Sequence, residues 1–128
     1  MIKFDLNVVL KLQDLIIDRS GGDRGVRDFN LLDSALANPF QTFMGKELYK
    51  TVEEKGARLG FNLISNHAFL DGNKRIGILV MLTFLEVNGV ELDFTEDELI
   101  SLGWGMADGK FDCDYLYEWI ISHKKMQN

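Results

Sequence analysis

Residues 73–89 read NKRIGILVMLTFLEVNG. Wound as a helix, this stretch carries Ile76, Ile78, Leu79, Val80, Met81, Leu82, Phe84 and Leu85, and is apolar on nearly every side. A helix on a protein surface shows one polar face, whereas one that is apolar all round belongs in the interior. The longest apolar run, Ile76 to Leu85, is ten residues long, with Thr83 its one polar side chain. That is too short to span a bilayer and fits a buried helix. Asn88-Gly89 supplies a C-terminal stop. Gly77 lowers helix propensity, which close packing against a neighbour would offset. The expectation is an all-α fold with this helix at its centre.

Working outward, the flanking segments are helical too. Asp5 or Asn7 can cap a first helix bearing Val9, Leu12, Leu15 and Ile16, ended by Gly21-Gly22. The glycines at 21, 22 and 25 match no phosphate-loop spacing and read as a flexible turn. Asp28 or Asn30 can cap a short helix through Leu31, Leu32, Ala35 and Leu36, stopped by Asn38-Pro39. Arg27 and Asp28 read as a mutual pair or as part of that cap rather than as ligand contacts. Phe40, Gln41, Thr42, Phe43 and Met44 lack a helical stripe and read as extended or hairpin-like.

Thr51 with Glu54 forms a capping box for a long helix through Leu59, Leu63 and Ile64 towards His67, and Thr95 with Glu98 forms another, for a helix ending near Gly109. Between them, Val90 to Phe94 alternates apolar and acidic residues, as a short strand does. Asp112 can cap a last helix through Tyr115, Leu116, Trp119 and Ile120. About six helices in one domain spanning residues 1–128 is the resulting architecture. Trp104 and Trp119 read as core, and Lys124-Lys125 as a solvated tail.

Composition narrows the function. Hydrophobic residues at 46% and charged residues at 27% are globular proportions. The net charge of −6, without a basic stripe, argues against direct nucleic-acid binding. The single cysteine, Cys113, precludes an intramolecular disulfide, and two flanking aspartates do not favour its thiolate. No signal-peptide or membrane-spanning pattern is present, so a cytoplasmic location is expected.

The chemistry concentrates in His67 to Arg75, HAFLDGNKR. This segment runs into the N-terminus of the central helix, where backbone N–H groups lack partners and the dipole is positive. Such an end binds phosphate. Gly72 lets the backbone approach a ligand, and Asn73 brings two amide donors. Lys74 and Arg75 are unfavourable beside a positive helix end unless a polyanion offsets them. Asp71 suits Mg2+, which one or two carboxylates hold together with phosphate oxygens and water. His67 can accept a proton near neutral pH. Each residue also has a plain structural reading: a loop histidine, a tight turn, two solvated cations. Residue chemistry alone leaves both open.

HAFLDGNKR resembles the signature of the Fic/Doc superfamily, HxFx(D/E)(G/A)N(G/K)R, at every position. The likeness extends to Gly25-Val26-Arg27-Asp28, to Leu31 through Leu36, to Tyr49 and Glu54-Lys55, and to Phe84 through Gly89, about positions 5 to 120. It implies the Fic fold, with His67 as catalytic base, Phe69 as core anchor of the loop and Asp71 as Mg2+ ligand. Gly72, Asn73, Lys74 and Arg75 would form the anion site for the phosphates of ATP. Phe40, Gln41, Thr42, Phe43 and Met44 fall where the family has a flap that holds the target. Members that transfer AMP usually have Gly at position 74 and a second Arg at position 78. Here Lys74 and Ile78 point to the death-on-curing branch, whose members are toxins that pass the γ-phosphoryl group to a threonine of elongation factor Tu. AMP transfer and a non-catalytic binding module are the alternatives. The family's inhibitory spacing, Ser or Thr, three residues, then Glu followed by Gly or Asn, does not occur in the chain. Restraint is therefore expected in trans, from a cognate Phd-like antitoxin.

Overall fold

A computed structural model of the chain describes residues 1–107 and 111–125. The elements run α1 (Leu6–Ser20), α2 (Phe29–Ala37), a 3-10 turn (Asn38–Phe40), β1 (Thr42–Phe43), β2 (Lys46–Glu47), α3 (Val52–Ser65), α4 (Asn73–Val87), α5 (Glu96–Ala107) and α6 (Cys113–Ser122). This is the all-α arrangement expected, with one short hairpin. Helix starts follow side-chain chemistry. Asp5 accepts from Val8 N, Asp28 from Leu31 N, Thr51 from Glu54 N and Asp112 from Tyr115 N. Each such cap is worth about 0.5–2 kcal/mol. The Thr95–Glu98 box closes in both directions, at 3.1 and 3.2 Å.

Helix α4 is central because two of its ridges are buried. Ile76, Val80 and Phe84 face a cluster built with α1 and α2. Met81 and Leu85 face a second cluster built with α5 and α6. Phe84 takes two aromatic edges, Phe4 at 5.9 Å and Phe40 at 6.0 Å between centroids. α3 lies against α4 along a seam of small residues. A Cβ on Gly77 would fall 2.5 Å from Ile64 Cγ1, and one on Gly56 2.7 Å from Leu85 Cδ2. Close packing is thus the compensation that Gly77 required. Among the described residues, no helix is long and apolar enough to cross a membrane.

Several readings are corrected. Val90 to Phe94 is not a strand. Only an isolated antiparallel bridge joins Leu92 to Lys124, flanked by Asp93 N to His123 O at 2.7 Å and Lys125 N to Glu91 O at 2.9 Å. The same bonds show that Lys124-Lys125 is not a free tail, and Lys124 also reaches Glu53 at 3.2 Å. On α1 the buried positions are Val9, Gln13 and Ile17, whereas Leu15 is half exposed. Gln13 tolerates burial because its amide donates to Gly25 O at 2.9 Å. Trp104 is 72% exposed and is not core. Trp119 is half-buried, stacked on His123 and tilted against Phe94. The expected end of α5 at Gly109 lies outside the described residues.

Candidate functional site

The loop between α3 and α4 is held from both sides. α3 closes at Asn66, and His67 turns into the left-handed region with φ +49°. For a residue with a Cβ that costs about 1–3 kcal/mol and needs support from its surroundings. Support comes from the segment between α1 and α2. Val26 and Phe69 form an antiparallel bridge. Ala68 O accepts from Arg27 N at 2.7 Å and Asp28 N at 3.1 Å, and Leu70 N donates to Gly25 O at 3.1 Å. The Arg27 side chain donates to His67 O at 2.7 Å and to Asn66 O at 3.3 Å. Phe69 is buried in the first cluster.

The second half of the loop closes on itself. Asn73 Oδ1 accepts from Phe69 N at 3.0 Å, and its Nδ2 donates to Phe69 O at 3.1 Å. The amide read as an anion donor therefore staples the loop. Gly72, left-handed at φ +76°, precedes α4 and gives it no side-chain cap. This separates α4 from α1, α2, α3 and α6, whose first N–H groups are capped by Asp or Thr. Asp71 Oδ1 accepts from Gly72 N at 2.8 Å and its Oδ2 from Asp23 N at 3.3 Å. Gly22 presses so close that a Cβ there would lie 2.6 Å from Asp71 Oδ2. Arg75 donates to Ser20 Oγ and to Gly21 O, and stands 3.8 Å from Asp71 Oδ1.

His67, Leu70, Asp71, Gly72, Asn73, Lys74 and Arg75 line one open cleft of about 300 Å³. His67 and Lys74 are exposed in it. One cleft thus holds an imidazole, a carboxylate, two cations and an uncapped helix N-terminus. A larger hollow of about 560 Å³, by Leu82, Glu86, Glu91 and Phe94, offers no imidazole or helix start. Sequence reasoning missed what the 21–25 turn does. It is no free loop: Arg24 pairs with Asp14 and Asp18 at 2.8 and 2.5 Å, and Gly25 O binds both Gln13 and Leu70. The glycines at 22 and 25 were the available signal, since φ of +117° and +122° suits only residues without a side chain. Arg27 and Asp28 do not pair with each other: Asp28 caps α2, and Arg27 turns to the His67 loop.

Of the segment Phe40 to Met44 expected as a flap, Thr42 and Phe43 form the first strand of the β1–β2 hairpin, whose turn residues Met44 and Gly45 have φ of +53° and +78°. Phe43 and Met44 are exposed at its tip. Gln41 O closes its base by accepting from Leu48 N at 3.1 Å. Phe40 belongs to the preceding 3-10 turn and packs on Phe84, so it anchors the hairpin from below. Lys55, buried on α3, donates to Tyr49 O and pairs with Glu47 of β2 at 3.2 Å. Burial pushes the half-buried Cys113 thiol up, which fits a structural residue rather than a nucleophile.

Comparison with known proteins agrees with this arrangement. The Fic/DOC family profile matches residues 3–85. A protein named Toxin Doc from Mycolicibacterium smegmatis is 43% identical over 96 residues, 73% of this chain and 72% of that one. The chain belongs to the Fic/DOC family.

Proposed function

We propose that the protein is a death-on-curing toxin that transfers the γ-phosphoryl group of ATP to a serine or threonine hydroxyl of a protein. The observation that carries this reading is the exposed His67 imidazole in the same cleft as the uncapped start of α4. The N–H groups of that first turn, with Lys74 and Arg75, would bind the phosphates electrostatically. Asp71 has a half-exposed carboxylate. No cluster of three acidic, His or Cys ligands occurs among the described residues. The site fits an ion completed by phosphate oxygens and water rather than a protein cage. Mg2+ bound there would neutralise phosphate charge.

His67 takes the proton of the acceptor hydroxyl while that oxygen forms a bond to the γ-phosphorus. The bond from the γ-phosphorus to the bridging oxygen breaks, and ADP leaves. By family resemblance the acceptor is elongation factor Tu, so translation would halt, and a Phd-like antitoxin would restrain the protein in trans. The relative's name, Toxin Doc, supports the toxin part of this reading.

ATP labelled in the α or the γ phosphate tests the proposal. Label from the γ position should enter elongation factor Tu, and His67→Ala should lose at least about a hundredfold in rate. Label from the α position would mean AMP transfer. Absence of transfer from either position would leave a binding module.

A further inference from the structure

The carboxyl end of α3 lacks a cation of its own. A helix leaves its last carbonyls without intrahelical partners, and positive charge there opposes the negative end of the dipole. α3 has no basic residue in its last turn. The charge arrives from 40 positions away, where Arg27 forks onto Asn66 O and His67 O. These two oxygens belong to the peptide units on either side of the His67 Cα. Gripping both fixes the rotation between the two units, and that rotation is the left-handed turn of His67, φ +49°. A Cβ-bearing residue leaves this region unless its neighbours hold it there. Asn66 adds a brace, donating its side-chain amide to Leu31 O at 3.4 Å.

We infer that Arg27 is a positioning residue for the base: its guanidinium holds the backbone turn that presents the His67 imidazole to the cleft. The catalytic consequence rests on the proposed phosphotransfer, but the geometry does not. Arg27 is itself exposed, so direct contact with the nucleotide is the rival role that the experiment must separate.

Full-length wild type, Arg27→Ala and Arg27→Lys serve for two measurements. The first needs no substrate. A strong cross-peak between a residue's own amide and Hα protons in NMR marks a positive φ. Wild type should show it at His67, Arg27→Ala should lose it, and Arg27→Lys, with one remaining cationic donor, should keep it in part. A His67 cross-peak of undiminished strength in Arg27→Ala overturns the inference. The second is the kinetics of phosphoryl transfer. Arg27→Ala should lower kcat roughly tenfold to a hundredfold, leave KM for ATP unchanged, and recover in part when millimolar guanidinium ion is added. A raised KM for ATP with kcat intact would make Arg27 a ligand contact instead. If Arg27→Ala does not fold, the comparison rests on Arg27→Lys, where an unweakened cross-peak and unchanged kcat would overturn the inference. If wild type transfers no phosphoryl group, the proposed function fails, and the NMR measurement still decides what Arg27 does.

Discussion

At the scale of single residues, Asn73 shows how one side chain can carry a structural task beside the one read from its chemistry. Its amide was expected to donate to phosphate. Both ends of that amide also close the loop on Phe69 N and O. A buried hydrogen-bonding group that loses its partner costs about 1–3 kcal/mol. Asn73→Ala should therefore lower stability by about that amount, read as a shift of the denaturant midpoint. An unchanged midpoint with lost activity would return Asn73 to the role of ligand contact. The loop's components were legible because HAFLDGNKR is local in sequence. Their orientation was not, because Asp23, Gly25 and Arg27 approach from 40 or more residues away and leave no periodic trace.

At the scale of elements, helix starts were readable for the same local reason. A cap involves an acceptor and an amide two or three residues on, so Asp28, Thr51, Thr95 and Asp112 announced themselves. Contacts between distant elements did not. The tail that pairs with Glu91 and Leu92 contains two lysines and no pattern, and Val90 to Phe94 has the alternation of a strand with only a single bridge as its partner. The join between α5 and α6 is one such distant contact. Glu98 of α5 accepts from Thr95 N and meets His123 Nε2 at 2.5 Å, just past the end of α6. The Thr95 backbone donor first, and His123 second, hold the Glu98 carboxyl below its ordinary value of 4.5. A carboxyl with a depressed folded pKa stabilises the native state above its unfolded pKa, and that contribution disappears as pH falls through the folded value. Wild type should therefore melt higher than Glu98→Gln at pH 6, and the gap should close on acidification below about pH 4. A gap that persists undiminished at pH 3 would mean that the carboxylate charge is not what joins the two helices.

At the scale of the whole molecule, α3 and α4 carry both hydrophobic clusters. Ile76, Val80 and Phe84 face one, Met81 and Leu85 the other, and Val52 touches both. The His67 loop sits at the α3–α4 junction, so its geometry depends on helices that the distant α5–α6 layer also packs against. The family match covers residues 3–85 and stops short of that layer. If the two clusters unfold as one unit, damage to the far one must weaken protection everywhere. Leu116 of α6 is fully buried in the second cluster. Leu116→Ala should cost about 2–5 kcal/mol. Under conditions where exchange reports equilibrium opening, the slowest amides of α2, such as Leu32 in the first cluster, should lose the same free energy of protection as those of α6. Loss confined to α5 and α6 would show instead that the outer layer opens alone. The His67 loop would then be insulated from it, and the shared helices would not couple the two halves of the core.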